Sequence, residues 1–226
     1  MLLTAGGSRD TVVAMDIVDP RIENYTASLH ARHDEPIVLE MEAEARERDF
    51  PIVGRNVGVT LWVLAASIGA RRVFELGSGF GYSAYWFAKA TGADGEIHLT
   101  DGDAANERKA ADYLKRAGVW DRMRYHVGDA LTSFASVDGE FDVVYDDIDK
   151  DGYPDAWRAA RHRVRVGGLY ICDNTLWYGR VPSDGEPPDD VTEAIREHNA
   201  MVAADERYVT TILPIRDGVL VALRTV

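Results

Sequence analysis

Cysteine occurs once in the 226 residues, at Cys172, so no intrachain disulfide can form. It lies inside an apolar, strand-like run, and packing is its expected role rather than redox or nucleophilic chemistry. Lysine is nearly as scarce, at Lys89, Lys109, Lys115 and Lys150 alone. Lysine and arginine together number 25 against 38 acids, a formal net charge of -13. A phosphate backbone would be repelled, which removes nucleic acid from the candidate partners. The lysine-poor, acid-rich composition fits a salt-loving source and GC-rich codon usage equally well. No run of about 18 uncharged apolar residues is present to span a bilayer. The start, MLLTAGGSRD, lacks the basic segment and long apolar stretch of a secretory signal. The expectation is a cytoplasmic chain with no membrane partner.

Linker-like tracts, internal repeats and low-complexity segments are also missing. With 46% hydrophobic residues the chain has ample core, and a single α/β domain over 1–226 is expected. Its first part, 1–70, reads as an N-terminal helical region. Apolar residues recur at three- and four-residue spacing in VVAMDIVDPRIENYTASL, PIVLEMEAEAR and VGVTLWVLAASIGA, with breaks at Pro20, Pro36 and Pro51. From Arg72 the texture changes, and 71–226 reads as the sheet core. Short apolar runs, RVFEL, EIHLT, MRYHV, FDVVYD and GLYICD, alternate with helical segments, the pattern of βαβ units around a parallel sheet. The end, YVTTILPIRDGVLVALRTV, holds two β-rich runs turning at Asp217-Gly218, an antiparallel hairpin for the sheet edge. Five parallel strands and this hairpin give an expected seven-stranded, mostly parallel α/β sheet.

After the first strand comes ELGSGFGYS, residues 75–83, where Gly77, Gly79 and Gly81 let the backbone approach a ligand as it turns into a helix. The dinucleotide fingerprint GxGxxG fails, because counting from Gly77 it needs glycine where Tyr82 stands. Glycines at every second position after Glu75 resemble instead the S-adenosylmethionine loop of class I methyltransferases. The second run ends in Asp101, 24 residues after Gly77, where a carboxylate can accept both hydroxyls of a ribose. The third ends VGDAL, so Asp129 stands either beside an adenine amino group or as a helix N-cap.

The stretch YDDIDKDGY, 145–153, crowds Asp146, Asp147, Asp149, Lys150 and Asp151 at the end of a buried strand, where unpaired carboxylates are costly. The fourth strand delivers Asp147 at its carboxyl end, and the fifth delivers Asp173 and Asn174 at its own. Neighbouring parallel strands lie about 4.8 Å apart, so these three side chains can converge beside the glycine loop. Two carboxylates and an amide oxygen form a hard-ligand set suited to Mg²⁺, or else Ca²⁺ or Mn²⁺.

ELGSGFGYS, YDDIDKDGY and DNTLWYGRV together resemble the three motifs of the metal-dependent O-methyltransferases, the family of catechol and caffeoyl-CoA O-methyltransferases. DFPIVGRNVG and LPIRDGVLVALR fit as well, so the resemblance covers roughly 35–226. It implies a Rossmann-like class I methyltransferase fold with extra N-terminal helices, S-adenosylmethionine as cofactor, a small-molecule hydroxyl acceptor and a homodimer. By the same resemblance Asp147, Asp173 and Asn174 bind the metal and Lys150 is the general base. Val53 and Ser83 contact the methionine end of the cofactor, Glu75, Gly77 and Gly79 belong to its loop, Asp101 binds ribose, Asp129 with Ala130 lies near adenine, and Asp147 also belongs to the cofactor-binding set. Trp177, Tyr178 and Arg180 are placed to wall the acceptor. Two departures stand out: Asp146 occupies a position that is usually apolar, and Gly152 one that is often Asn.

The chemistry implied is deprotonation of a metal-held vicinal diol or catechol by Lys150, followed by in-line attack on the sulfonium methyl, with Asp147 also at the reacting centre. The rivals are a metal-independent methyltransferase of the same fold and a non-catalytic nucleoside-binding protein.

Overall fold

The computed structural model describes residues 17–183 and 189–226. The part of the expected helical region before residue 17 lies outside it. Within the rest, α1 (Pro20–Leu29), α2 (Pro36–Glu47) and α3 (Gly54–Ser67) follow one another. Pro20 and Pro36 do not break helices but begin them. At the first helical position the missing N–H costs nothing and the ring presets φ.

The sheet strands are β1 (Arg72–Leu76), β2 (Glu96–Asp101), β3 (Met123–Val127), β4 (Phe141–Asp146), β5 (Val164–Cys172), β6 (Tyr208–Leu213) and β7 (Val219–Arg224). Their order is β3-β2-β1-β4-β5-β7-β6. The first five are parallel, and β7 runs antiparallel to both β5 and β6, which places the terminal hairpin at the edge as expected. β5 begins earlier than its apolar run suggests. The Gly167-Gly168 pair hides the start, and the pairing with β4 shifts register between Phe141 and Val143. A Cβ on Gly168 would stand 2.7 Å from the Asp142 carbonyl oxygen, so the bulge needs glycine there.

The linking helices are α4 (Tyr82–Thr91), α5 (Ala104–Arg116), α6 (Ala130–Ser136), α7 (Tyr153–Ala160) and α8 (Asp190–Ala203). Strand alternation divides the core into two layers. Val73, Val143, Tyr145 and Ile171 face α3, α4 and α5, while Phe74, Val144, Tyr170 and Cys172 face α6, α7 and α8. On the first layer α3 and α4 pack so closely that a Cβ on Gly58 would lie 2.3 Å from Trp86 Nε1. The glutamates of the N-terminal region fasten it down: Glu35 takes Lys89, Glu44 takes Lys109 and Tyr113, and Glu42 takes Arg55 and the Tyr82 hydroxyl. Much of the scarce lysine is spent here, as tethers between helices.

The strand order reverses between β1 and β4, each leading away in opposite directions. Open α/β sheets bind ligands outside the carboxyl ends of strands at such a switch point.

Candidate active site

A cavity of about 1110 Å³ opens at that point. One wall is the glycine loop. Gly77 has φ 81°, and a Cβ there would stand 2.5 Å from the Asp147 carbonyl oxygen, so glycine is required where the loop passes β4. Hydrogen bonds pin the loop. Thr100 Oγ1 accepts the Gly77 N–H at 2.9 Å, the Ser78 N–H donates to the Thr100 carbonyl at 2.7 Å, and the Tyr125 hydroxyl donates to the Gly79 carbonyl at 2.6 Å.

The two acids at the next strand ends lie on the same wall. Asp101 Oδ1 accepts from the Asp103 N–H at 2.7 Å and from Asn106 Nδ2 at 3.1 Å. Asp129 caps α6, its Oδ1 accepting the Thr132 N–H at 2.7 Å, which is the second of the two roles foreseen for it. Val53, Gly79, Ser83 and Ala130 also line the cavity. Glu75 does not. Its side chain is fully buried behind the loop, where the Ser83 hydroxyl donates to Oε1 and Oε2 has no partner. Burial pushes its pKa up to about 8.

The opposite wall carries Asp147, Lys150, Asp173 and Asn174. Their meeting follows from the register, which pairs Asp146 with Cys172 and leaves the next residues of the two strands side by side. The Asp173 N–H donates to the Asp146 carbonyl at 3.1 Å and the Asp147 N–H to the Leu76 carbonyl at 2.8 Å. Asp173 is 2% exposed and its Oδ1 has no hydrogen-bond partner. Burial, and after it the neighbouring Asp147 charge, raise its pKa to about 7. Lys150 Nζ lies 2.9 Å from Asp147 Oδ1. Burial alone would lower its pKa, but the Asp147 charge and hydrogen bond outweigh this and raise it. An orphaned buried carboxylate oxygen beside a second acid and an amide, on a wall with no His or Cys, is a donor set that fits an oxygen-preferring divalent cation.

Asp146 turns the other way. Period-two alternation sends it into the α7–α8 layer, fully buried, where Tyr170 donates to its Oδ2 at 2.7 Å and also meets His198 Nε2 at 2.8 Å. Asp146, Cys172 and His198 bring ligand-type atoms within 4.8 Å of one another. The Tyr170 hydroxyl bridges the carboxylate and the imidazole, Asp146 Oδ1 is left without a partner, and the group does not line the cavity.

Trp177 and Tyr178 line the cavity as expected, but Arg180 is absent from its walls and pairs with Asp189 at 3.2 Å. Residues not foreseen complete the enclosure: Phe50, Pro51 and Ile52 from the segment before α3, and Arg216 from the hairpin loop, which donates to the Ile52 carbonyl. Tyr153, fully buried, donates to the Asp173 carbonyl at 2.9 Å while its ring lies 5.2 Å from Lys150 Nζ.

Comparison with known proteins agrees with this fold. A family model described as O-methyltransferase matches residues 30–225. Caffeoyl-CoA O-methyltransferase 1 of Eucalyptus globulus is 30% identical over 211 residues, covering 87% of this chain and 85% of that protein. A protein of Mycolicibacterium vanbaalenii named as an O-methyltransferase is 32% identical over 216 residues, covering 91% of this chain and 94% of its own. Among solved structures, the O-methyltransferase TomG of Streptomyces achromogenes, involved in tomaymycin synthesis and in complex with S-adenosylmethionine, superposes with a TM-score of 0.83 at 27% identity, covering 92% and 98% of the two chains.

Proposed function

We propose, because the chain belongs to the O-methyltransferase family, that it methylates one hydroxyl of a small catechol-like or vicinal-diol acceptor in a reaction that needs S-adenosylmethionine and a divalent metal. The glycine loop with Val53 and Ser83 receives the methionine end of the cofactor, and Glu75 supports Ser83 from behind. Asp101 accepts the ribose hydroxyls, and Asp129 and Ala130 border the adenine. Asp147, Asp173 and Asn174 would hold the metal, whose charge would make an acceptor hydroxyl more acidic. Lys150 Nζ would take the proton from that hydroxyl once the metal's charge takes over Asp147, lowers the lysine's pKa and leaves a neutral amine, and Trp177, Tyr178 and the Phe50–Ile52 segment exclude water around it. Holding donor and acceptor in contact contributes roughly 7–11 kcal/mol by proximity alone, so most of the protein is a positioning device.

The observation that carries the metal half is Asp173 Oδ1, buried without a partner next to Asp147. Treatment with EDTA should abolish methyl transfer to a catechol probe, and Mg²⁺ or Mn²⁺ should restore it. The Lys150–Asp147 contact at 2.9 Å favours a second reading, in which the ammonium is the only cation used and the enzyme is metal-independent. Full turnover in a rigorously metal-stripped sample would establish that one instead. The expected cytoplasmic homodimer belongs to the same proposal, and an exposed apolar stripe on α1, Ile22, Tyr25 and Leu29 at 59%, 66% and 58%, supports it.

A further inference from the structure

The turn after β5 carries three non-glycine residues in the left-handed region within five positions: Asn174, Trp177 and Tyr178 have φ of 53°, 46° and 53°. Such a turn persists only where its surroundings over-determine it. Its later part is held by the hairpin loop, where the Leu176 N–H donates to the Asp217 carbonyl at 3.0 Å and the Tyr178 N–H to Asp217 Oδ1. Around Asn174 the two helices α7 and α8 take part as well. Tyr153, the first residue of α7, is fully buried, and its hydroxyl donates to the Asp173 carbonyl at 2.9 Å. Asn199, on α8, donates from Nδ2 to the Thr175 carbonyl at 2.9 Å.

The direction of the Asn199 amide is itself set. Its Oδ1 lies 3.1 Å from His198 Nδ1, and His198 Nε2 lies 2.8 Å from the Tyr170 hydroxyl. An amide oxygen only accepts, so with Oδ1 on the imidazole the amide nitrogen is left for the Thr175 carbonyl. The peptide between the two clamped carbonyls is pinned by the Thr175 N–H, which donates to the Gly218 carbonyl at 3.0 Å. Tyr153 therefore fixes the peptide that enters Asn174, Gly218 the one that leaves it, and Asn199 the next. With the planes of both its peptides held, Asn174 has no soft dihedral left in the backbone. Neither Tyr153 nor Asn199 lines the cavity.

We infer that Tyr153 and Asn199 are positioning residues: by clamping the carbonyls on either side of Asn174 they fix where the Asp173 and Asn174 side chains stand for a divalent metal. The inference rests on the proposed metal reading of Asp147, Asp173 and Asn174. Both residues act through the turn and not on cofactor or acceptor.

The test compares three variants, each of which removes the donor from one bond between a side chain and a carbonyl. Tyr153→Phe keeps the ring. Asn199→Asp keeps the shape and sets an oxygen against the Thr175 carbonyl. Tyr208→Phe is the control: its hydroxyl donates to the Arg161 carbonyl at 2.8 Å, and neither residue lines the cavity. All three should lower the urea midpoint. Only the first two should weaken Mn²⁺ binding, followed by the paramagnetic resonance of the free ion, by about 10–100-fold, the usual cost of losing an outer partner of a metal ligand. Saturating Mn²⁺ should restore most of their turnover on a catechol, because the ligands are displaced and not removed. Metal-free affinity for S-adenosylmethionine should match wild type in all three. Wild-type Mn²⁺ affinity in either clamp variant overturns the inference for that residue, and an equal loss in Tyr208→Phe overturns it for both; each result leaves the metal reading standing. No Mn²⁺ binding by the wild type overturns the metal reading and the inference with it. If Asn199→Asp does not fold, Asn199→Ala, which leaves the carbonyl unpaired without opposing it, is read in its place.

Discussion

The residues that line the glycine-loop wall of the cavity have their polar groups paired, the one orphaned oxygen on that side, Glu75 Oε2, lying behind the loop, whereas those of the wall running from Asp147 to Tyr178 do not. On the first, Thr100, Ser78 and Tyr125 fix the loop, and the carboxylates of Asp101 and Asp129 already accept backbone N–H groups at the starts of α5 and α6. On the second, Asp173 keeps an orphaned oxygen, Lys150 leans on Asp147, and three residues sit in left-handed conformations. A wall satisfied without its ligand is preorganised and binds by fitting. A wall left short is stabilised when the missing charge arrives. On the proposed function, the side assigned to the cofactor belongs to the first kind and the side assigned to the acceptor to the second.

Lys150→Met should break the second wall most sharply. Turnover on a catechol should fall about 10²–10⁴-fold, the usual size of a general-base contribution. S-adenosylmethionine affinity, measured by calorimetry, should hardly change, since the lysine belongs to the other wall. The loss should shrink for nitro-substituted catechols, whose hydroxyl needs less help to ionise. Equal losses on acidic and ordinary acceptors would make Lys150 a positioning residue and move the base elsewhere.

Asp101→Ala tests the first wall and should act on binding rather than on chemistry. Two charge-assisted hydrogen bonds to a ribose, each of about 1.5–3 kcal/mol, are at stake. The cofactor dissociation constant should rise by several-fold to about a hundredfold. Metal affinity should stay as it was. An unchanged cofactor constant would remove Asp101 from the cofactor's contacts.

The same contrast decides what could be read from sequence. Strand ends are local features, so the glycine loop, Asp101, Asp129, Asp147 and Asp173 could be placed from apolar runs and their last residues. Period-two alternation also bears on Asp146, whose neighbour Asp147 faces the cavity while it faces α8. The acid-rich run showed how much charge is there, not that it divides between two faces. What escaped depends on distant segments meeting. Arg216 reaches the Ile52 carbonyl across 164 positions, and Asp217 looked only like a turn residue. Glu75 shares the loop motif yet stands behind it, because strand alternation aims it at Ser83. Arg180 follows Asp173 and Asn174 in sequence but is drawn off by Asp189.

Asp173→Asn should have the smallest effect and bears most directly on the contrast between the walls. Burial and the Asp147 charge raise the Asp173 pKa from 3.8 to about 7. A carboxyl that holds its proton more tightly folded than unfolded contributes stability below pH 3.8 and loses it as pH rises through about 7. Each pH unit in that window is worth about 1.4 kcal/mol, so an ideal titration loses roughly 2–3 kcal/mol between about pH 5 and 7.5. Sharing of charge with Asp147 and Lys150 should leave on the order of 1–2 kcal/mol. Asp146 and Glu75, raised by burial to about 7 and about 8, titrate in the same direction, so the metal-free wild type should weaken with pH whatever Asp173 does. The variant isolates its share: urea midpoints of Asp173→Asn should depend less on pH and exceed wild type at neutral pH. Mg²⁺ should stabilise the wild type by a similar amount and leave the variant unmoved. Glu75→Gln, behind the other wall, should also flatten the pH dependence yet keep its full response to Mg²⁺. An Asp173→Asn protein with the wild-type slope, or with the wild-type response to Mg²⁺, would mean that the acceptor wall is not short of charge and that the contrast between the walls is false.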